Sequence, residues 1–212
     1  MNNGIKRGKF LALEGIDGSG KTTQLRLLHR RLTEAGVPCY ATQEPSDGPV
    51  GKLLRQVLTG EIQADGRVAA GLFASDRLDH LTRRGDGLLE KLAAGVTVLT
   101  DRYYFSSYAY NGMEADLDWV IEINRLSAEL LRPDVTIFLD VPVEQAMARI
   151  RINRDHVERY EQEDRLRAVR EKFFEVFRRM EGQENVVVVD GSGEAAEVAE
   201  RVWAAASEAL RG

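Results

Sequence analysis

Residues 15–22 read Gly15-Ile16-Asp17-Gly18-Ser19-Gly20-Lys21-Thr22. The stretch satisfies G-x-x-x-x-G-K-[ST] at every fixed position. It follows an apolar run, Phe10 to Glu14, and opens a segment where Leu25, Leu28 and Leu32 recur at helical spacing before Gly36. Strand, glycine-rich turn and helix together make a phosphate cradle. The turn aims successive backbone N–H groups inward, and the helix N-terminus adds partial positive charge at the same place. A turn that merely joined strand to helix would need neither lysine nor threonine at its end. Lys21 can reach the β- and γ-phosphates of a nucleoside triphosphate, and the Thr22 hydroxyl can ligate Mg²⁺. Gly15, Asp17, Gly18, Ser19, Gly20, Lys21, Thr22 and Thr23 are therefore the candidate ATP-binding residues.

Outward from this loop, four further segments read as strands: Val37 to Thr42, Val96 to Thr100, Val135 to Asp140 and Val186 to Asp190. All five segments except Val37 to Thr42 carry continuous apolar cores, as strands buried on both faces of a parallel sheet do. Helical spacing is visible around Leu53 to Leu58, Leu117 to Leu131, Val143 to Ile152, Phe173 to Phe177 and Glu194 to Leu210. Trp119 and Trp203 fall on two of these helices and are expected to pack. Strands alternating with helices imply right-handed βαβ crossovers. The expectation is an α/β P-loop NTPase-type three-layer sandwich: a five-stranded parallel sheet, helices on both faces and a short helical lid. No composition shift divides the chain, so residues 1–212 are expected to form a single kinase domain with a lid segment near 145–162.

Bulk properties narrow the function. The 212 residues carry a formal net charge of -5, with 43% hydrophobic and 30% charged residues. An acidic whole argues against a duplex-binding protein, whose affinity rests on a basic footprint, but not against a basic cleft for a small anion. Cys39 is the single cysteine, so neither an internal disulfide nor a zinc site is expected, and Cys39 itself reads as a buried strand residue. With no signal-like segment and no apolar run near membrane-spanning length, a cytoplasmic protein without membrane or nucleic-acid partners is expected. A guanine-reading N-K-x-D is absent from the sequence. A small-molecule kinase fits best.

The acceptor side begins at Asp101-Arg102-Tyr103, after the Val96 strand. A carboxylate at the sheet's carboxyl edge can hold Mg²⁺ or orient an acceptor, and an arginine can fork onto a phosphate; the two can also be a plain ion pair. Phe73, taken by itself, reads as core. The charged run Arg149 to Arg170 reads, taken by itself, as a solvated helix face.

Gly15 to Thr23, Thr42-Gln43-Glu44-Pro45, Leu72-Phe73-Ala74-Ser75-Asp76-Arg77, and Asp101-Arg102-Tyr103 with Ser106, Ser107, Ala109 and Tyr110 follow one another in order. Together they resemble the thymidylate kinase family over most of the chain. The resemblance implies transfer of the ATP γ-phosphoryl group to dTMP, with Mg²⁺ as cofactor and a homodimer built on apolar helix faces, including Leu72 to Leu81 and the helix from Leu117. It implies a dTMP site of Asp17, Glu44, Arg55, Phe73, Arg77, Arg102, Ser106, Ser107 and Tyr110. Phe73 would stack on the base, Ser106 and Ser107 would meet the pyrimidine edge, and Tyr110 would crowd the sugar's 2′ side. Gln43 stands where many members have arginine. The P-loop carries no arginine at Asp17, Gly18 or Ser19, which in this family shifts the catalytic cation to the lid: Arg149, Arg151, Arg154 and Arg159 are available, with Arg149 and Arg154 favoured. The catalytic set is then Lys21, Asp101, Arg102, Arg149 and Arg154, with Thr22 and Asp101 on the metal. His29, His80 and His156 are given no catalytic part. The rivals are a kinase of the same architecture acting on dUMP, a deoxynucleoside, CMP or UMP, and a nucleotide-binding regulator without turnover.

Overall fold

The structure is a computed structural model that describes residues 6–152 and 159–211; the side chains of 151, 152 and 159–161 fall outside that description. Five parallel strands run β1 (Phe10–Glu14), β2 (Cys39–Gln43), β3 (Thr97–Asp101), β4 (Val135–Asp140) and β5 (Val186–Asp190). Their order across the sheet is β2-β3-β1-β4-β5. The central strand β1 pairs with β3 through Leu13↔Asp101 and with β4 through Glu14↔Phe138. The chain therefore leaves β1 on one side of the sheet and returns on the other. That reversal opens a crevice at the carboxyl ends of the strands, where nucleotides bind in open α/β sheets.

Alternation along the strands divides the core in two. Phe10, Ala12, Val98 and Phe138 point to one face and pack with Tyr103, Tyr104, Phe105 and Phe173. Leu11, Leu13, Leu99, Ile137 and Leu139 point to the other, against Leu25, Leu28 and Leu32 of α1 (Lys21–Glu34) and Val198 and Val202 of α9 (Ala195–Arg211). The expected three layers are present. The first face is rich in aromatics, and edge-to-face pairs such as Phe10–Tyr103 at 5.0 Å and Phe138–Phe177 at 5.1 Å set its spacing.

Three expectations need correction. β5 lies at the sheet edge with Val188 49% exposed, so its apolar run marks an edge strand and not one buried on both faces. Cys39 lies on the opposite edge strand and is only half-buried, its Sγ 3.4 Å from Thr33 Oγ1. Trp203 packs as expected, half-buried under the Arg31 guanidinium at 4.3 Å, but Trp119 is 39% exposed on α6 (Leu117–Leu130).

Three helices carried no periodic signal, and each has a physical reason. α3 (Gly66–Thr82) buries Asp76, Arg77 and His80 beside Ala70, Ala74 and Leu81, so its inward face is polar and its apolar stripe is broken. α5 (Tyr104–Tyr110) is buried at every position from Tyr104 to Ala109, and a helix buried all round shows no stripe. α4 (Leu88–Ala93) spans six residues, too short for periodicity to show. The remaining helices are α2 (Pro49–Leu58), α7 (Val143–Ile152) and α8 (Arg159–Arg179). Among the described residues no helix is long and apolar enough to cross a membrane.

Candidate functional site

The turn after β1 forms one wall of a cleft of about 640 Å³ lined by Asp17, Gly18, Gly20, Lys21, Thr22, Thr23, Asp101, Arg102, Arg149, Ile150 and Gln162. Gly18 adopts φ 78°, and a side chain there would run into the Ala146 carbonyl of α7. The loop thus packs too closely on the lid-side helix for anything but glycine. Gly15 is buried, and a Cβ there would crowd Ser19 Oγ and the Leu139 carbonyl. Ser19 Oγ is itself buried without a hydrogen-bond partner among the described residues.

Lys21 is 6% exposed and donates from Nζ to the Ile16 carbonyl at 3.0 Å. Burial pushes its pKa down to about 8, with Arg102 adding to the effect and Asp101, Asp17 and Glu14 opposing it. A desolvated ammonium held this way gains strongly from an arriving phosphate. One residue on, Thr22 Oγ1 donates to Asp101 Oδ2 at 2.5 Å. A hydroxyl and a carboxylate side by side at the P-loop are hard oxygen donors. They suit Mg²⁺, which takes few protein ligands and fills the rest of its octahedron with phosphate and water.

Across the cleft, Arg102 turns out of β3 with φ 73°, the left-handed region that costs a non-glycine residue about 1–2 kcal/mol. The kink sends its guanidinium back toward the P-loop. There Nη2 donates to Asp17 Oδ1 at 2.5 Å and lies 3.5 Å from the Tyr110 hydroxyl, while Nη1 donates to Ser106 Oγ at 2.9 Å. The Asp17 N–H donates to the same Tyr110 hydroxyl at 3.0 Å. Burial works against the Arg102 charge, but Tyr110, Asp17, Glu14 and Asp101 outweigh it and hold its pKa above the usual arginine value. Asp17, Arg102, Ser106 and Tyr110, expected around one acceptor, are brought together.

A second group lies deeper. Arg77 is 1% exposed and donates from Nε to Glu44 Oε2 at 2.8 Å, from Nη1 and Nη2 to Ser107 Oγ at 3.3 and 3.2 Å, and from Nη1 to Asn124 Oδ1. His80 closes the group, with Nδ1 3.4 Å from Glu44 Oε1 and Nε2 3.0 Å from Thr42 Oγ1. Glu44 and Arg77 are therefore occupied with each other and shielded by protein, and His80 has a structural part. Phe73 is half-buried on α3, outside the two core clusters. Arg55 is tied to its own loop through the Ser46 carbonyl at 2.6 Å and Asp47 Oδ1 at 2.5 Å. Gln43 is exposed at the end of β2.

On the lid side, Arg149 donates to the carbonyls of Ser19 at 3.2 Å and Gly191 at 3.1 Å, bracing the P-loop against the turn before α9. Arg154 and His156 lie outside the described residues, as do the side chains of Arg151 and Arg159, so the expected lid near 145–162 is described only at its flanks. Sequence reasoning missed Glu14, Asn124 and Gln162. Glu14 had a signal: a carboxylate ending an otherwise apolar strand directly before the phosphate turn. Asn124 had none, because its partner lies 47 positions away.

The same assignment comes from known proteins. The family model described as thymidylate kinase matches residues 13–202. A thymidylate kinase of Rhodopseudomonas palustris is 37% identical over 211 residues, covering 94% of this chain and 88% of the relative. A probable thymidylate kinase of Pyrobaculum calidifontis is 38% identical over 202 residues, covering 95% and 97%. One of Pyrococcus horikoshii is 41% identical over 152 residues, covering 69% and 71%. With the family model matched over residues 13–202 and relatives at 37% and 38% identity matched over most of both chains, this chain, a phosphate loop on a five-stranded parallel sheet, belongs to the thymidylate kinase family.

Proposed function

We propose that the protein transfers the γ-phosphoryl group of ATP to dTMP, giving dTDP and ADP. The observation that carries the reading is the Arg102–Asp17–Tyr110 cluster facing Lys21 and Thr22 across one cleft. A phosphate oxygen of dTMP, anionic at neutral pH, attacks the γ-phosphorus in line. The new P–O bond forms as the bond to the bridging β,γ-oxygen breaks, and ADP leaves with that oxygen. No strong general base is needed, so the protein's work is positioning, charge neutralisation and exclusion of water.

Lys21 neutralises the β- and γ-phosphates; Arg102 holds the acceptor phosphate; Asp17 and Tyr110 fix Arg102 and border the acceptor sugar. Phe73 offers an aromatic face to the base, and Ser107 a hydroxyl to its edge. Glu44, Arg55 and Arg77 complete the acceptor side, Glu44 and Arg77 by holding its buried frame. Thr22 and Asp101 would hold Mg²⁺, which neutralises charge between donor phosphates. One of Arg149, Arg151 and Arg154, with Arg149 and Arg154 favoured, supplies the lid cation that reaches the transferring group on closure. The exposed Trp119, Leu126 and Leu130 along α6, with the half-buried Ile123 between them, support a homodimer, since apolar residues at i, i+4, i+7 and i+11 on one seam suit a second helix.

The test is ADP release with Mg·ATP and a panel of dTMP, dUMP, dCMP, CMP, UMP, dAMP, dGMP and thymidine, with Lys21→Ala as control. Strong turnover on dTMP, weaker on dUMP and abolished by the substitution, is expected. Strong turnover on another acceptor keeps the chemistry and overturns the acceptor; nucleotide binding without turnover overturns both.

A further inference from the structure

Glu14 is fully buried, and the mechanism above does not use it. Its Oε1 accepts the backbone N–H groups of Tyr103 at 2.9 Å and Ser106 at 3.1 Å, and its Oε2 accepts the Ser106 hydroxyl at 2.6 Å. Ser106 Oγ meanwhile accepts from Arg102 Nη1 at 2.9 Å. The proton positions follow by elimination. An ionised carboxylate only accepts and a guanidinium only donates, so the single Ser106 hydroxyl proton points at Glu14 and its lone pair at Arg102. The relay runs Arg102 to Ser106 to Glu14, and Glu14 lies on β1, immediately before the phosphate loop.

We infer that Glu14 is a positioning residue. Through Ser106 it ties the acceptor-phosphate arginine to the strand that carries the ATP-binding loop, so the two phosphates are held in register by one buried carboxylate. Three features point the same way. The two backbone N–H groups that Glu14 takes belong to Tyr103 and Ser106, around the start of α5, so the carboxylate also fixes how α5 leaves β3. Arg102 sits in a strained left-handed backbone conformation, which persists only where the surroundings over-determine it. Burial raises the Glu14 pKa to about 6, against the opposing effect of Ser106, Arg102 and the two amides. A carboxylate is thus ionised at neutral pH in a place where neutral residues would be easier to bury.

The relay reassigns Ser106. Its only proton is committed to Glu14, so it has none to offer a pyrimidine edge. Ser107 accepts from both terminal nitrogens of Arg77 and keeps its proton available, which makes it the hydroxyl suited to donate to a base.

This inference rests on the proposed dTMP reading, and its test separates the two. Glu14→Gln preserves shape and can still accept both backbone N–H groups, but it presents an amide donor to Ser106 and removes the charge behind Arg102. Initial rates with ATP and dTMP both varied should show kcat/KM for dTMP falling by about tenfold or more, while KM for ATP stays within about twofold. Ser106→Ala should reproduce that split, Ser106→Thr should restore most of the loss, and the double variant Glu14→Gln/Ser106→Ala should be no worse than either alone. Thermal unfolding of each variant controls for folding. Wild-type kinetics in Glu14→Gln, a loss shared equally between ATP and dTMP, or an additive double variant would each overturn the relay. A wild-type protein inactive on dTMP overturns the acceptor reading instead, and the same variants then read the relay on the monophosphate that is turned over.

Discussion

The two sides of the cleft, proposed for donor and acceptor, are built from different materials. The phosphate-loop side is one contiguous stretch, Gly15 to Thr23, which offers mainly backbone N–H groups and a helix terminus. The side proposed for the acceptor is assembled from side chains on separate elements: the buried Glu14 on β1, Glu44 after β2, Arg77 on α3 and Asn124 on α6, and the mostly buried Arg102 after β3. Backbone sites are cheap to encode and tolerate variation at x positions. Side-chain networks in a low dielectric are costly to assemble, and removing one member leaves another buried without compensation.

That contrast breaks if both sides respond alike to losing a cation. Arg77→Met should destabilise the protein by about 3–5 kcal/mol in chemical denaturation, because it strips Glu44, 4% exposed, of its buried guanidinium partner. Lys21→Ala should behave in the opposite way. It removes a charge whose burial is already unfavourable, so stability should hold or rise while activity falls about a hundredfold or more. Equal losses of stability would contradict the distinction.

A smaller effect sharpens it. Glu14 has a folded pKa of about 6 against 4.5 for a free glutamate. Between these values the folded state holds more protons than the unfolded one. Its share of stability, about 2 kcal/mol, is therefore fully present below pH 4.5 and lost as pH rises through 6. The unfolding free energy of wild type relative to Glu14→Gln, measured at pH 4.5 and 7, should shift by most of that amount, about 1.5 kcal/mol, in favour of the acid side. A flat difference would mean the carboxylate is not desolvated as the structure has it.

The same difference in materials explains what the sequence revealed. The P-loop was legible residue by residue because its function is local. β1, β4 and β5 were legible to their end residues, since apolar runs bounded by turns mark them, β-branched in β4 and β5. What periodicity missed, α3 and α5, are the helices that carry Phe73, Arg77, Ser106, Ser107 and Tyr110, because burying Asp76, Arg77 and His80, or burying nearly every face, erases the amphipathic signal. Motif order recovered Arg77, Arg102 and Tyr110 where periodicity was silent. It also grouped Ser106 with Ser107 as base contacts, since spacing does not reveal which hydroxyl is already committed to Glu14. Neither route reached Asn124, which matters only through a contact made in three dimensions.

The central claim is a direct transfer between two phosphates held in one cleft. The most direct measurement is ³¹P NMR of the protein with Mg·ATP and dTMP, following every phosphorus species with time. The account predicts that ADP and dTDP grow in equal amounts, with no inorganic phosphate above the level seen without protein. ADP accompanied by inorganic phosphate and no dTDP would contradict it, making the cleft a nucleotide hydrolase and not a phosphotransferase.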